Sequence, residues 1–220
     1  MTTVERLLNA AEKVWAGYHT HPFVEGLKYG TLDREKFRRY MIQDYWYLME
    51  YTKVFAIGVA KSQSVETMNL FAKYIQAILD GEVNVHNGYM AEFGITREEL
   101  ERMPIAQDNR SYTSYMLSVA YKGGEAEVLT AIFACAYSYE VIAAKIVEEV
   151  PSAPEHPFYG RWVRGYITPR YVGNNVVLKE KLEELTAGYT EQQLRYLEEI
   201  FVACSRYEAS FWDMAWEMRE

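Results

Sequence analysis

Apolar residues recur along this chain with the 3.6-residue period of a helix, and the residues between them fall where helices start and stop. Val4, Leu7, Leu8, Ala11, Val14 and Trp15 share one face of a first helix, which Thr2 and Glu5 open as a capping box and which ends near Gly17. Pro22 suits the first position of a short segment ending at Gly30, and Thr31 is placed to cap a long helix to about Lys61. Ser64 opens another helix, which Gly94 stops. Thr96 with Glu99 is a second capping box, and Asp108 is placed to cap the helix of Tyr112 and Tyr115. Gly123-Gly124 ends that helix before the apolar run Glu125 to Val150. Pro151 and Pro154 interrupt the chain, a shorter helix follows Pro157, another runs roughly from Pro169 to Ala187, and Thr190 with Gln193 caps the last. No segment alternates with the period of two that marks a strand.

The pattern predicts an all-α fold, a single domain over residues 1–220. Its architecture is expected to be an up-and-down bundle of about eight helices around one core, with a ligand site between helices. His-Pro-Phe occurs twice, at His21-Pro22-Phe23 and His156-Pro157-Phe158, each time opening a helix. The repetition could mark two pseudo-equivalent halves, but three residues are slight evidence for a repeat, and the preference of Pro for a first helical turn with an aromatic packed inward is the favoured reading.

Composition narrows the function classes. The chain is 50% hydrophobic, enough to bury a sizeable core. With 31 acidic against 23 basic residues the net charge is −8, the wrong sign for a nucleic-acid footprint, so no nucleic-acid partner is expected. Two cysteines in 220 residues make no disulfide framework, which suits an intracellular protein. The first residues carry charges through their apolar positions, unlike a signal peptide, and no uninterrupted apolar run approaches the ~20 residues of a membrane span. The expectation is a cytoplasmic protein with no membrane partner.

Nineteen tyrosines exceed what a core of this size requires, because each buried phenol must find a hydrogen-bond partner that Phe would not need. Asp44, Tyr47 and Tyr51 are spaced i, i+3, i+7 and share a helix face, where the acid either binds something or is satisfied by a buried tyrosine hydroxyl. Cys135 and Tyr139 lie one turn apart, and the cysteine reads either as a nucleophile or as a small buried hydrophobe. Cys204 lies four residues before Glu208 on the same helix face and is read as packing, with a second thiol near the site as the alternative. Glu208, flanked by Tyr207, Phe211 and Trp212, either faces solvent or has a raised pKa suited to proton transfer. Glu82 and His86 sit at i, i+4 as a metal pair or an intrahelical ion pair, but the second Glu-x-x-His unit of a di-iron bundle is missing, so no metal is expected. His19 and His21 stand as possible haem ligands, with Pro22 favouring a loop or cap role. Neither a Gly-rich phosphate cradle nor a Gly-x-Ser-x-Gly elbow is present, and no cofactor is expected.

Together these segments resemble the TenA family, also called thiaminase II or aminopyrimidine aminohydrolase. The resemblance is carried by His21-Pro-Phe, Gln43-Asp44-x-x-Tyr47, Ser111-Tyr112-Thr113-Ser114-Tyr115-Met116, Cys135-x-x-x-Tyr139-Glu140, His156-Pro157-x-Tyr159-x-x-Trp162 and Tyr207-Glu208-x-x-Phe211-Trp212, in order through nearly the whole chain. It implies a haem-oxygenase-like helical fold without haem, a homotetramer, and hydrolysis of 4-amino-5-aminomethyl-2-methylpyrimidine, and more slowly thiamin, to the hydroxymethylpyrimidine in thiamin salvage. By the same resemblance Cys135 is the nucleophile, Glu208 the acid/base residue and Asp44 the carboxylate that binds the aminopyrimidine. Tyr47, Tyr112 and Tyr139 line the pocket, and Tyr166, in Trp162-Val163-Arg164-Gly165-Tyr166, stands where the family has a ring-contacting tyrosine, although Ile167-Thr168-Pro169 departs from the usual continuation. Two other classes compete: a non-catalytic helical protein that binds a heterocycle or regulates through a partner, and a haem- or oxygen-dependent oxidase on the same scaffold.

Overall fold

A computed structural model describes the backbone of residues 1–220 and the side chains of all but Glu82, Asn84 and Val85. Among the described residues the regular structure is entirely helical. In chain order the helices are α1 (Thr3–His19), α2 (Pro22–Tyr29), α3 (Arg34–Lys61), α4 (Val65–Ala77), α5 (Val83–Glu92), α6 (Arg97–Arg102), α7 (Gln107–Lys122), α8 (Glu125–Glu149), α9 (Gly160–Tyr166), α10 (Pro169–Thr186) and α11 (Glu191–Glu217). A π-helical turn, Ile78–Glu82, joins α4 to α5, and a 3-10 turn, Ala153–Glu155, precedes α9.

The chain forms two compact units, Met1–Asp33 with Leu129–Ala209, and Arg34–Val128 with Ser210–Glu220. In the first unit Trp15 of α1, Phe133 of α8 and Phe201 of α11 pack together, with ring centroids 5.5 and 5.9 Å apart on either side of Phe201. The start of α1 carries its capping box, and Glu183 of α10 accepts from the amides of Thr3 and Val4 at 3.0 and 2.7 Å, placing a carboxylate on the positive end of α1. Gly30 ends α2 in the left-handed conformation at φ 70°, and a Cβ there would also strike the His156 ring at 2.4 Å. Thr31 and Leu32 then donate their amides to the carbonyl of Gly26. Thr31 therefore closes α2 instead of capping α3, which starts only at Arg34.

In the second unit Phe37 meets Tyr89 edge to face at 4.9 Å, and Tyr40 stacks on Trp212 at 5.4 Å. Gly58 lets α3 and α4 approach closely, since a Cβ there would fall 2.8 Å from the Phe71 ring. Gln43 is wholly buried and hydrogen-bonded at both ends of its amide: it donates to the Pro104 carbonyl and accepts from the Ala106 amide, each at 2.9 Å. Those bonds fix the turn before α7, whose N-cap position is Ala106. Asp108 consequently lies inside the first turn and faces Arg219 at 3.5 Å instead of capping.

The uninterrupted helix expected between Ser64 and Gly94 is broken by the π-helical turn. Ser64 does cap α4, accepting from the Thr67 amide. On an ideal helix Ile78 and His86 would differ by roughly 80° in direction at ~100° per residue. The wide turn, which advances less per residue, reduces that offset, and both side chains are buried. Helix α8 is the one described helix long and apolar enough to cross a membrane by length and composition; its apolar window is 61% buried within the protein.

Candidate active-site residues in the two units

Asp44, Tyr47 and Tyr112 belong to the second unit, and all three are buried. The i, i+3, i+7 spacing on α3 brings Tyr47 onto Tyr51, stacked at 5.2 Å, and Tyr47 meets Tyr112 of α7 at 5.2 Å and Phe211 at 5.9 Å. The Tyr47 hydroxyl donates to the Met116 sulfur at 3.5 Å. Asp44 sits on this aromatic face, where an acid without a partner would be costly. Its partner is His86 of α5, whose Nε2 lies 2.6 Å from Asp44 Oδ2. That contact joins residues 42 positions apart; the expected pairing of His86 with Glu82 falls on a side chain outside the described residues.

Cys135, Tyr139, Tyr166 and Glu208 belong to the first unit. The middle of α8 is apolar on nearly every face, Val128 to Cys135 being buried without a break. Cys135 keeps 7% of its surface and Cys204 none. Burial, and then the charge of Glu208, push the Cys204 thiol well above its ordinary value of 9.0, so it is not poised as a thiolate. One turn beyond Cys135, Tyr139 packs on Tyr166 at 4.8 Å and on Trp162 at 5.9 Å, so α9 supplies an aromatic wall to α8. Helix α10 braces the same stretch: the Tyr171 hydroxyl and Asn175 Nδ2 both donate to the carbonyl of Ala136, at 2.9 and 3.2 Å.

Glu208 is 2% exposed on α11. The turn before it is held by α1, through Trp15 Nε1 donating to Ser205 Oγ at 2.9 Å and the Tyr18 hydroxyl donating to the Ser205 carbonyl at 2.5 Å. Burial raises the Tyr18 phenol well above its ordinary value, and the charges of Glu208, Cys135 and Cys204 add to the shift, while its bond to Ser205 opposes it. Tyr18 therefore lies within electrostatic reach of both the thiol and the carboxyl that the sequence singled out. Sequence reasoning missed it, as it missed Trp15, Tyr171 and Asn175, because residues of helix termini and flanking helices carry no local signal of what they touch.

The paired His-Pro-Phe motifs do related mechanical work. His21 Nδ1 accepts from the Phe23 amide at 3.1 Å, and His156 Nδ1 accepts from the amides of Phe158 and Tyr159 at 3.1 and 3.0 Å. The His21 imidazole thus caps α2, whereas that of His156 holds the turn that precedes α9, which starts only at Gly160. His19 is half-buried at the end of α1, and burial followed by the charge of Lys145 lowers it from 6.5. Among the described residues no group of three or more His, Cys, Asp or Glu side chains is gathered as a metal site.

The profile of the TENA/THI-4/PQQC family matches residues 8–218. An aminopyrimidine aminohydrolase of Helicobacter pylori is 43% identical over 220 residues, covering 99% of this chain and 100% of its own. One from Halalkalibacterium halodurans is 37% identical, covering 100% and 97%. Among solved structures, a TenA homologue from P. horikoshii OT3 superposes with a TM-score of 0.88 at 27% identity, covering 99% of each chain. A domain from Shewanella denitrificans with a heme oxygenase-like fold reaches 0.79 at 13% identity, covering 98% of this chain and 92% of its own, which speaks to the fold alone. The expected all-α, heme oxygenase-like fold is therefore the fold observed, and the chain belongs to the TENA/THI-4/PQQC family.

Proposed function

We propose that this protein is an aminopyrimidine aminohydrolase of thiamin salvage, converting 4-amino-5-aminomethyl-2-methylpyrimidine, and more slowly thiamin, to the hydroxymethylpyrimidine. The observation that carries this reading is the full-length, 43% likeness to the Helicobacter pylori aminopyrimidine aminohydrolase. The contrast between its two thiols supports it, since the fully buried Cys204 is pushed away from reactivity, whereas Cys135, although buried, keeps 7% of its surface.

The chemistry asks for three groups. An amine on a pyrimidine-methyl carbon is a poor leaving group, so direct displacement by water is slow. In this reading the Cys135 thiolate adds to the electron-poor ring, Glu208 protonates the departing amine, and ammonia leaves with its bonding electrons. Water then adds to the exocyclic methylene, giving up a proton to the Glu208 carboxylate as the thiolate departs, so the net change is amine plus water to alcohol plus ammonia. Asp44 accepts hydrogen bonds from the amidine edge of the ring. Tyr47, Tyr112, Tyr139 and Tyr166 offer flat surfaces against which a heterocycle stacks.

No step needs a metal or an organic cofactor. Release of ammonia from the aminomethyl-pyrimidine by chelator-treated protein tests the reading: an unchanged rate agrees with it, and a loss restored by one divalent metal contradicts it. We read the protein as cytoplasmic and, following the family resemblance, as a homotetramer. Light scattering would then report four copies of the 25.7 kDa chain.

A further inference from the structure

The pairing of Asp44 with His86 goes beyond satisfying a buried acid. Both side chains are almost wholly buried, and the contact between His86 Nε2 and Asp44 Oδ2 is 2.6 Å. The torsion that turns a carboxylate about Cβ–Cγ is broad and roughly two-fold, so placing Asp44 on α3 does not by itself decide where its oxygens point. The backbone beside it is already rigid, because Asn109 Nδ2 donates to the Gln43 carbonyl at 2.7 Å and the Gln43 side chain is held by Pro104 and Ala106. The contact with His86 Nε2 holds one oxygen, Oδ2, and so restrains the plane of the carboxyl group. This contact leaves Oδ1 out of it. The histidine arrives there from the helix that follows the π-helical turn Ile78–Glu82, a kind of interruption that recurs where a side chain is aimed for function.

We infer that His86 is a positioning residue that aims Asp44 Oδ1 at the ring and thereby sets the preference for 4-aminopyrimidines over their 4-oxo counterparts. The inference rests on the reading of Asp44 as the ring-binding carboxylate. A 4-amino group presents an N–H to that oxygen, whereas a 4-oxo group presents a second acceptor. A carboxylate of fixed direction separates the two, because hydrogen bonds weaken steeply as the angle at the hydrogen closes and two acceptors facing each other repel. A carboxylate free to turn aligns less well with the amine and can rotate away from the oxo group, so the difference shrinks.

The test compares the native protein with His86→Gln, whose amide nitrogen reaches near the Nε2 position, and His86→Asn, whose amide stops short of Asp44. Titration calorimetry gives Kd for 4-amino-5-hydroxymethyl-2-methylpyrimidine and for its 4-oxo analogue, steady-state kinetics with the aminomethyl substrate give kcat and KM, and melting curves report folding. Losing a hydrogen bond to a charged group costs about tenfold in affinity or more. His86→Asn is expected to weaken the 4-amino ring by that factor while the 4-oxo ring is nearly unchanged, with KM rising more than kcat falls. His86→Gln is expected to recover most of the native ratio. Equal weakening of both rings in His86→Asn, or an unaltered ratio, reduces His86 to a structural partner and overturns the inference alone. Failure of the native protein to bind either ring overturns it together with the functional reading.

Discussion

Cys204 lies on α11 one turn before Glu208, and the carboxyl's charge adds to complete burial in holding the Cys204 thiol protonated. The two cysteines therefore differ in kind. Cys135 is expected to be alkylated by iodoacetamide well before Cys204, and Cys135→Ser to abolish turnover with the fold intact. Peptide mapping after partial alkylation and the kcat of each serine variant check this. Near-normal kcat in Cys135→Ser alongside loss in Cys204→Ser would assign the wrong thiol.

The two carboxylates are expected to separate kinetically. Glu208→Gln keeps a hydrogen-bonding group but cannot cycle a proton, so kcat falls with little change in KM. Asp44→Asn removes an acceptor from the ring-binding position and raises KM at least as much as it lowers kcat. Both constants measured with the aminomethyl-pyrimidine decide it, and the opposite pattern would mean the roles are exchanged.

Tyr18 donates to the Ser205 carbonyl on the turn that leads to Glu208. Tyr18→Phe removes that bond without removing the ring, so urea unfolding is expected to show a loss of about 1 kcal/mol. Because the turn is loosened, kcat should fall as well, but by less than in Glu208→Gln. Stability and kcat both unchanged would deny the bond any positioning role.

Arg6 pairs with Glu191 and Glu198 at 2.6 Å each, and its hydrogen bond, followed by that of Arg195, carries Glu191 from its ordinary 4.5 down to about 2. A carboxyl depressed by folding contributes stability that is complete above 4.5 and fades as pH falls toward about 2. The pair is substantially exposed, so the contribution is small. Arg6→Met is expected to lower Tm modestly at neutral pH, with the difference from the native protein vanishing on acidification through that window. A difference constant with pH would rule out the ion pair as its source.

Much of the local structure is legible in the sequence because caps are local. The boxes at Thr2, Thr96 and Thr190 each form as their spacing predicts, since donor and acceptor lie within one turn. The exceptions arise where another group competes for the residue. Thr31 is drawn into closing α2 by the left-handed Gly30, and Asp108 faces Arg219 because Gln43 fixes the turn before it. The candidate residues themselves were visible through motif order, yet their partners were not. His86 stands out beside Glu82 in the sequence, whereas its contact with Asp44 spans 42 residues and is promoted by a π-helical turn that only Asp80-Gly81 hints at.

The central claim is hydrolysis at the pyrimidine-methyl carbon, and mass spectrometry of purified protein incubated in ¹⁸O-labelled water with the aminomethyl-pyrimidine, and separately with thiamin, tests it most directly. The account predicts hydroxymethylpyrimidine from both, faster from the aminomethyl substrate, with the label in its hydroxyl group because water adds to the methylene. Absence of hydroxymethylpyrimidine from either substrate would contradict it and favour a protein that binds a heterocycle without transforming it.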